Sequence, residues 1–171
     1  QHGTAFLQTN NAGVKAIAPN VTVQHALITM GYAALHSGDY NGSARYFAQA
    51  QNKNAAEGFS QKLASDAALR EADASFLAKD YAKAITLYDK LIAAKGADAD
   101  YALFQKSTLL GLQGKTTEQA DILLQIVAQR NPVSQYLPEA HYALGDLLLD
   151  ANKFEDAISH FEKITDQNAP Q

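Results

Sequence analysis

The stretch GDYNGSARYF, residues 38–47, reads as a turn at Gly38-Asp39-Tyr40 followed by Ser43, Ala44 and Phe47 at helical spacing, and its recurrence decides the fold. KDYAKAITLY follows at 79–88, GKTTEQADILL at 114–124 and NKFEDAISHF at 152–161. Each segment opens with a turn pair, then an aromatic residue or Thr, then a small residue with a bulky one four positions on. Tyr40, Tyr81, Thr116 and Phe154 lie 41, 35 and 38 residues apart. A period in this range marks stacked supersecondary units.

A second apolar-periodic segment precedes every turn. Leu27, Met30, Gly31, Ala34 and Leu35 share one helical face, as do Ala68, Leu69, Ala72 and Phe76. Leu103, Phe104, Leu109, Leu110 and Leu112 form the third stripe, and Ala140, Leu144, Gly145, Leu148 and Leu149 the fourth. Downstream, Ala84, Ile85, Tyr88, Leu91 and Ile92 repeat the pattern, and so do Ala157, Ile158, Phe161 and Ile164. Gly38, Gly96 and Gly114 stand where a left-handed C-terminal cap is expected. Asn131-Pro132 is a helix stop after the third unit. No stretch alternates long enough to make a strand. Each unit is therefore expected to be an antiparallel helix pair, stacked on the next through small residues at the crossings: Gly31, Ala72, Gly145, Ala84 and Ala157.

Composition narrows the function. Hydrophobic residues make up 47% and charged residues 19% of 171, ordinary for a folded domain, and the net charge is −4. No basic stripe suggests nucleic acid, and no apolar run approaches the roughly 18–20 residues of a membrane span. With no cysteine, disulfides and thiolate metal sites are excluded. Residues 1–20 lack the basic and apolar regions of a signal peptide. The chain also lacks an initiating Met, as expected of a processed product or of a fragment of something longer.

These residues resemble the tetratricopeptide repeat, whose pattern is W-x2-L-G-x2-Y, then A-x3-F, then P. The fourth unit matches best, with His141-x2-Leu144-Gly145-x2-Leu148, Ala157-x3-Phe161 and Pro170. The first has Leu27-x2-Met30-Gly31-x2-Ala34 and Ser43-x3-Phe47. The second keeps Ala84-x3-Tyr88 but carries Glu71-Ala72 for Leu-Gly. The third keeps Ala120-x3-Leu124 and Pro132, which implies one residue inserted at the turn. The resemblance implies an all-α fold, a right-handed α-solenoid of about four hairpin units at about 24–58, 62–97, 98–134 and 136–170. Residues 1–23 would be a partial preceding repeat, with Val14, Ile17 and Pro19 in repeat-like places, or an N-terminal segment. Residues 100–115 and 136–164 further resemble bacterial cell-envelope repeat proteins, of the Tol-Pal accessory and outer-membrane assembly lipoprotein kinds. That implies a periplasmic or outer-membrane-associated location, the alternative being cytoplasmic.

Catalytic chemistry finds little footing. His25 and His36 are eleven residues apart, about 16 Å of helical rise, too far to share an ion. His141 and His160 fall on different helices of one hairpin without a third ligand at i+3 or i+4. The carboxylate pairs Asp98/Asp100, Glu71/Asp73 and Asp146/Asp150 read as solvated or capping groups. No phosphate loop or nucleophile elbow is present. The expectation is a non-enzyme that takes no cofactor, metal or small-molecule substrate and binds a protein or peptide.

In a tetratricopeptide array the resemblance places the first helix of each hairpin on the concave face. Carried over, this gives His25, Ile28, Tyr32 and His36; Asp66, Leu69, Asp73 and Phe76; Tyr101, Phe104 and Thr108; and Glu139, Tyr142, Asp146 and Asp150. Tyr32, Tyr101 and Tyr142 make an aromatic strip turning acidic toward the C-terminus, suited to a segment bearing Lys or Arg. The opposing expectation is that Tyr32 and Tyr142 pack on neighbouring repeats and the acids only face solvent, leaving a structural spacer.

Overall fold

The computed structural model describes residues 22–52, 60–129 and 134–167. The readings placed on residues 1–20, on Asn131-Pro132 and on Pro170 lie outside them. Among the described residues there are eight helices and no strand: α1 (Val23–His36), α2 (Tyr40–Ala50), α3 (Gln61–Leu77), α4 (Tyr81–Ala94), α5 (Ala99–Leu112), α6 (Thr116–Ala128), α7 (Leu137–Asp150) and α8 (Phe154–Gln167). None is long and apolar enough to cross a membrane.

Tyr40, Tyr81, Thr116 and Phe154, the markers of the repeat, are the first residues of α2, α4, α6 and α8. The turns before them share one construction. Gly38, Lys79, Gly114 and Asn152 all have positive φ, at 80°, 62°, 69° and 58°. The next residue then donates its N–H back across the end of the preceding helix: Asp39 to Ala34, Asp80 to Ser75, Lys115 to Leu110 and Lys153 to Leu148, at 2.8–3.0 Å. This 6→1 bond satisfies a carbonyl the helix leaves open and reverses the chain within three residues. Asp39 and Asp80 also accept from the amides of Gly42 and Lys83 at 2.8 and 3.2 Å, so one residue ends a turn and starts a helix. Gly96 departs from expectation, because Lys95 takes the left-handed conformation there (φ 52°).

The chain divides into two compact units, residues 1–87 and 88–171. In the first, α1 packs on α2 and α2 on α3. Leu27, Phe47, Ala50 and Ala67 form the core, with Val23, Ile28, Tyr32 and Tyr46 against it. Gln24, wholly buried, donates to the Ala50 and Ser60 carbonyls (2.9 and 3.1 Å) and accepts from the Ser60 amide (2.9 Å), tying α1 to both ends of the α2–α3 connection. In the second, α5 packs on α6, α6 on α7 and α7 on α8, around Leu109, Leu123, Ile126 and Ala157.

Small residues sit at the crossings as expected. A Cβ on Gly31 would stand 2.8 Å from the Phe47 ring, and one on Gly145 2.6 Å from Phe161. The equivalents in the other hairpins, nine residues before the second helix, are Ala72 and Ser107, both buried.

Three expectations need correction. The third hairpin has no inserted residue: Leu123 is buried and Leu124 is 49% exposed, so the repeat positions are Gln119-x3-Leu123. Polar Gln119 in a small-residue place hid the register, and the structure accommodates its amide against Gly111. Leu112 and Ile158, assigned to apolar stripes, are 62% and 55% exposed. Glu71 is no solvated carboxylate. It is buried on α3 and accepts from Lys83 Nζ and Gln51 Nε2, both at 2.8 Å. The charge is tolerated in the Leu position because two donors meet it.

Candidate functional site

The carried-over site residues separate into two groups with different electrostatics. In the first unit Tyr32, on α1, lies edge-on to Phe47, with ring centroids 5.1 Å apart. Its hydroxyl donates to Asp66 Oδ2 (3.3 Å) and accepts from Arg70 Nε (3.1 Å). Arg70 Nη1 donates to Asp73 Oδ2 at 3.2 Å, and Nε stands 3.6 Å from Asp66 Oδ1. Burial opposes the Arg70 charge, but Tyr32, Asp73 and Asp66 outweigh it and hold the guanidinium above its usual value. Tyr32 thus packs on the next repeat, and the two carboxylates share one cation. Arg70 was not singled out from the sequence, although the i−4 and i+3 spacing of Asp66 and Asp73 around it was the available signal.

His25 and His36 are exposed at the two ends of α1. His25 Nδ1 lies 2.8 Å from Thr22 Oγ1 beside the N-cap. Leu69 is buried and belongs to the core.

In the second unit Tyr101 and Phe104 gather around Tyr136, the residue just before α7. The Phe104 and Tyr136 rings stack at 4.9 Å with 7° between planes, and Tyr101 is tilted at 6.1 Å. Tyr136 was missed because it falls in a loop with no periodic place. Asp100, read as a cap, instead accepts from the Ser134 hydroxyl (2.6 Å) and the Gln135 amide (3.2 Å), fixing that loop to α5.

The α7 strip is built differently. Glu139, Tyr142, Asp146 and Asp150 follow at intervals of three, four and four, so they share one helical face. All four are exposed, Tyr142 to 61% even with one ring edge on Phe161 at 5.8 Å. No Lys or Arg occurs on α7. Among the described residues none of the three carboxylates has an ion pair closer than 4.0 Å, whereas Asp66 and Asp73 do. The site residues therefore do not form one uniform strip: Tyr32, Asp66 and Asp73 are mutually satisfied, and Tyr142 and Asp146 stand open. Beneath the strip His141 is buried with its Nδ1 3.0 Å from that of His160. Among the described residues no group of three or more His, Cys, Asp or Glu is placed to hold a metal ion.

Paired helices with a common turn, small residues at each crossing and a period near 38 define a helical-repeat protein. The tetratricopeptide repeat family model matches residues 28–102 and 113–171, and the chain belongs to that family. The unmatched residues 103–112 are the part of α5 after its first turn, where Lys106-Ser107 replaces Leu-Gly. Among curated proteins none matches the sequence. Solved structures with the same fold include MamA from Desulfovibrio magneticus RS-1, at 18% identity, covering 84% of this chain and 74% of that one, with a TM-score of 0.63. MamA structures labelled MSR-1 and AMB-1 are 13% and 15% identical, cover 98% of this chain and 95% and 92% of theirs, and score 0.61 each. These likenesses are of fold. Tetratricopeptide arrays are protein-interaction scaffolds, and this chain is of that class.

Proposed function

We propose that the chain holds a protein partner along the exposed face of α7, docking an extended segment that carries Lys or Arg. The observation behind this reading is Tyr142, 61% exposed between Glu139, Asp146 and Asp150, none of which has an ion pair within 4.0 Å among the described residues. A large exposed aromatic ring offers contact area at low entropic cost, and the surrounding carboxylates supply complementarity. In the first unit Tyr32, Asp66 and Asp73 are already bound through Arg70, so these three act as internal structure of that unit, while His25 and His36, exposed at the ends of α1, are not part of the α7 strip. Tyr101 shapes the approach through its cluster with Phe104 and Tyr136. The resemblance of residues 100–115 and 136–164 to envelope repeat proteins supports a periplasmic setting, which cell fractionation tests. The competing reading is a spacer segment.

Replacing Tyr142 with a photo-crosslinking residue in cells tests the docking. A crosslinked partner peptide rich in Lys or Arg, recovered less well after a high-salt wash before irradiation, is the expected result. Absence of any crosslink at Tyr142 favours the spacer.

A further inference from the structure

We propose that the contact between His141 and His160 is a proton-operated latch on the α7–α8 hairpin, closed near neutral pH and released on acidification. The two Nδ1 atoms face each other at 3.0 Å, with ring centroids 5.1 Å apart and planes inclined at 53°. His141 is 4% exposed, one turn from Gly145, where an added Cβ would stand 2.6 Å from the Phe161 ring.

The geometry limits how many protons the pair can hold. With both rings neutral, one Nδ1–H donates to the bare Nδ1 of the other. The donor ring can gain a proton at its far nitrogen without disturbing this bond. The acceptor ring can do the same only by protonating the Nδ1 already occupied, which would set two N–H groups against each other at 3.0 Å. A closed hairpin therefore carries at most one of the two protons that both histidines take up when the chain opens near their ordinary value of about 6.5.

The surroundings act in the same direction. Burial, the largest cause, lowers both histidines. The neighbouring His160 adds for His141, and Lys163 adds for both, while Asp156 opposes it at His160. Glu139, Asp146, Asp150, Glu155 and Glu162 on α7 and α8 are exposed, as are Glu118 and Asp121 on α6, the helix that also packs on α7. Because the folded-state values are depressed, the stabilisation from the neutral pair is complete above about pH 6.5 and is lost as pH falls below it.

Tyr142 follows His141 and rests on Phe161, which follows His160. Opening the latch would therefore remove the support under Tyr142 in the α7 strip. That consequence rests on the docking reading above, whereas the latch itself does not.

Hydrogen exchange of the unliganded protein, corrected for the intrinsic pH dependence of exchange, measures it directly. Between pH 6.5 and 5.5 the opening constant of residues 137–167 should rise by roughly fivefold for the one missing proton, with no such rise in residues 23–50. In the double variant His141→Phe, His160→Gln the selective rise should vanish. Equal behaviour of the two segments in the wild type overturns the latch, and so does an undiminished rise in the variant. Should the variant fail to fold, ring nitrogen NMR of the wild type decides. Uptake of the second proton together with loss of native α7–α8 signals supports the latch, and two protonated rings in an intact hairpin at pH 5.5 overturn it. No partner is needed, so failure here is separate from failure of docking.

Discussion

Gly145 and Ser43 are two residues whose neighbours decide what a substitution does. A side chain at Gly145 meets the Phe161 ring at 2.6 Å, within a crossing that has no slack. Gly145→Val should cost about 1–3 kcal/mol in a urea melt. Ser43 is wholly buried, and its hydroxyl finds no hydrogen-bond partner among the described residues. Ser43→Ala keeps the small volume and removes the unmet polar group, so a gain of about 1 kcal/mol is expected from the same assay. Glu71 gives the third case. Glu71→Leu restores an apolar residue where the repeat favours Leu and should be close to neutral, as buried ion pairs replaced by hydrophobes generally are. Lys83→Met leaves Glu71 buried with only Gln51. With Lys83 itself 41% exposed, its loss should cost about 1–2 kcal/mol. A larger loss for Glu71→Leu than for Lys83→Met would contradict this account of the network.

At the scale of the element the repeated turn is the controlling device. Two of its four left-handed positions are glycine, and the other two are Lys79 and Asn152. A side chain there costs energy that glycine avoids, about 1 kcal/mol for Lys79 and less for Asn152, since Asn tolerates this region better. Lys79→Gly should raise the melting temperature more than Asn152→Gly, whereas Gly38→Ala should lower it even though its Cβ meets nothing within 4 Å. This turn also explains why the fold was legible. GD, KD, GK and NK look different as residue pairs but hold the same two backbone roles, and the aromatic or Thr after each pair starts a helix. Helix interiors were harder to read. Gln119 occupies a small-residue place and displaced the third register by one. Glu71 and Lys106 occupy Leu places where only tertiary partners, Lys83 with Gln51 and Asp89 respectively, reconcile charge with packing. Site residues were legible in identity and not in state, because the share of Asp66 and Asp73 in Arg70 is fixed by a side-chain arrangement that periodicity does not encode.

At the scale of the whole molecule, composition and net charge conceal the uneven distribution of open carboxylates between the two units. The first unit carries Asp66 and Asp73 with their cation built in, and the second presents Glu139, Asp146 and Asp150 without one. Long-range attraction should therefore come mainly from α7 and weaken with salt over a Debye length of roughly 8–10 Å. The most direct measurement compares partner binding by the wild type, Asp146→Lys and Asp66→Lys at neutral pH, where the hairpin latch is closed. The account predicts that reversing the charge at Asp146 lowers affinity at least about tenfold, chiefly through a slower on-rate, while reversal at Asp66 leaves binding within about twofold. Equal losses at both positions, or none at Asp146, would contradict it.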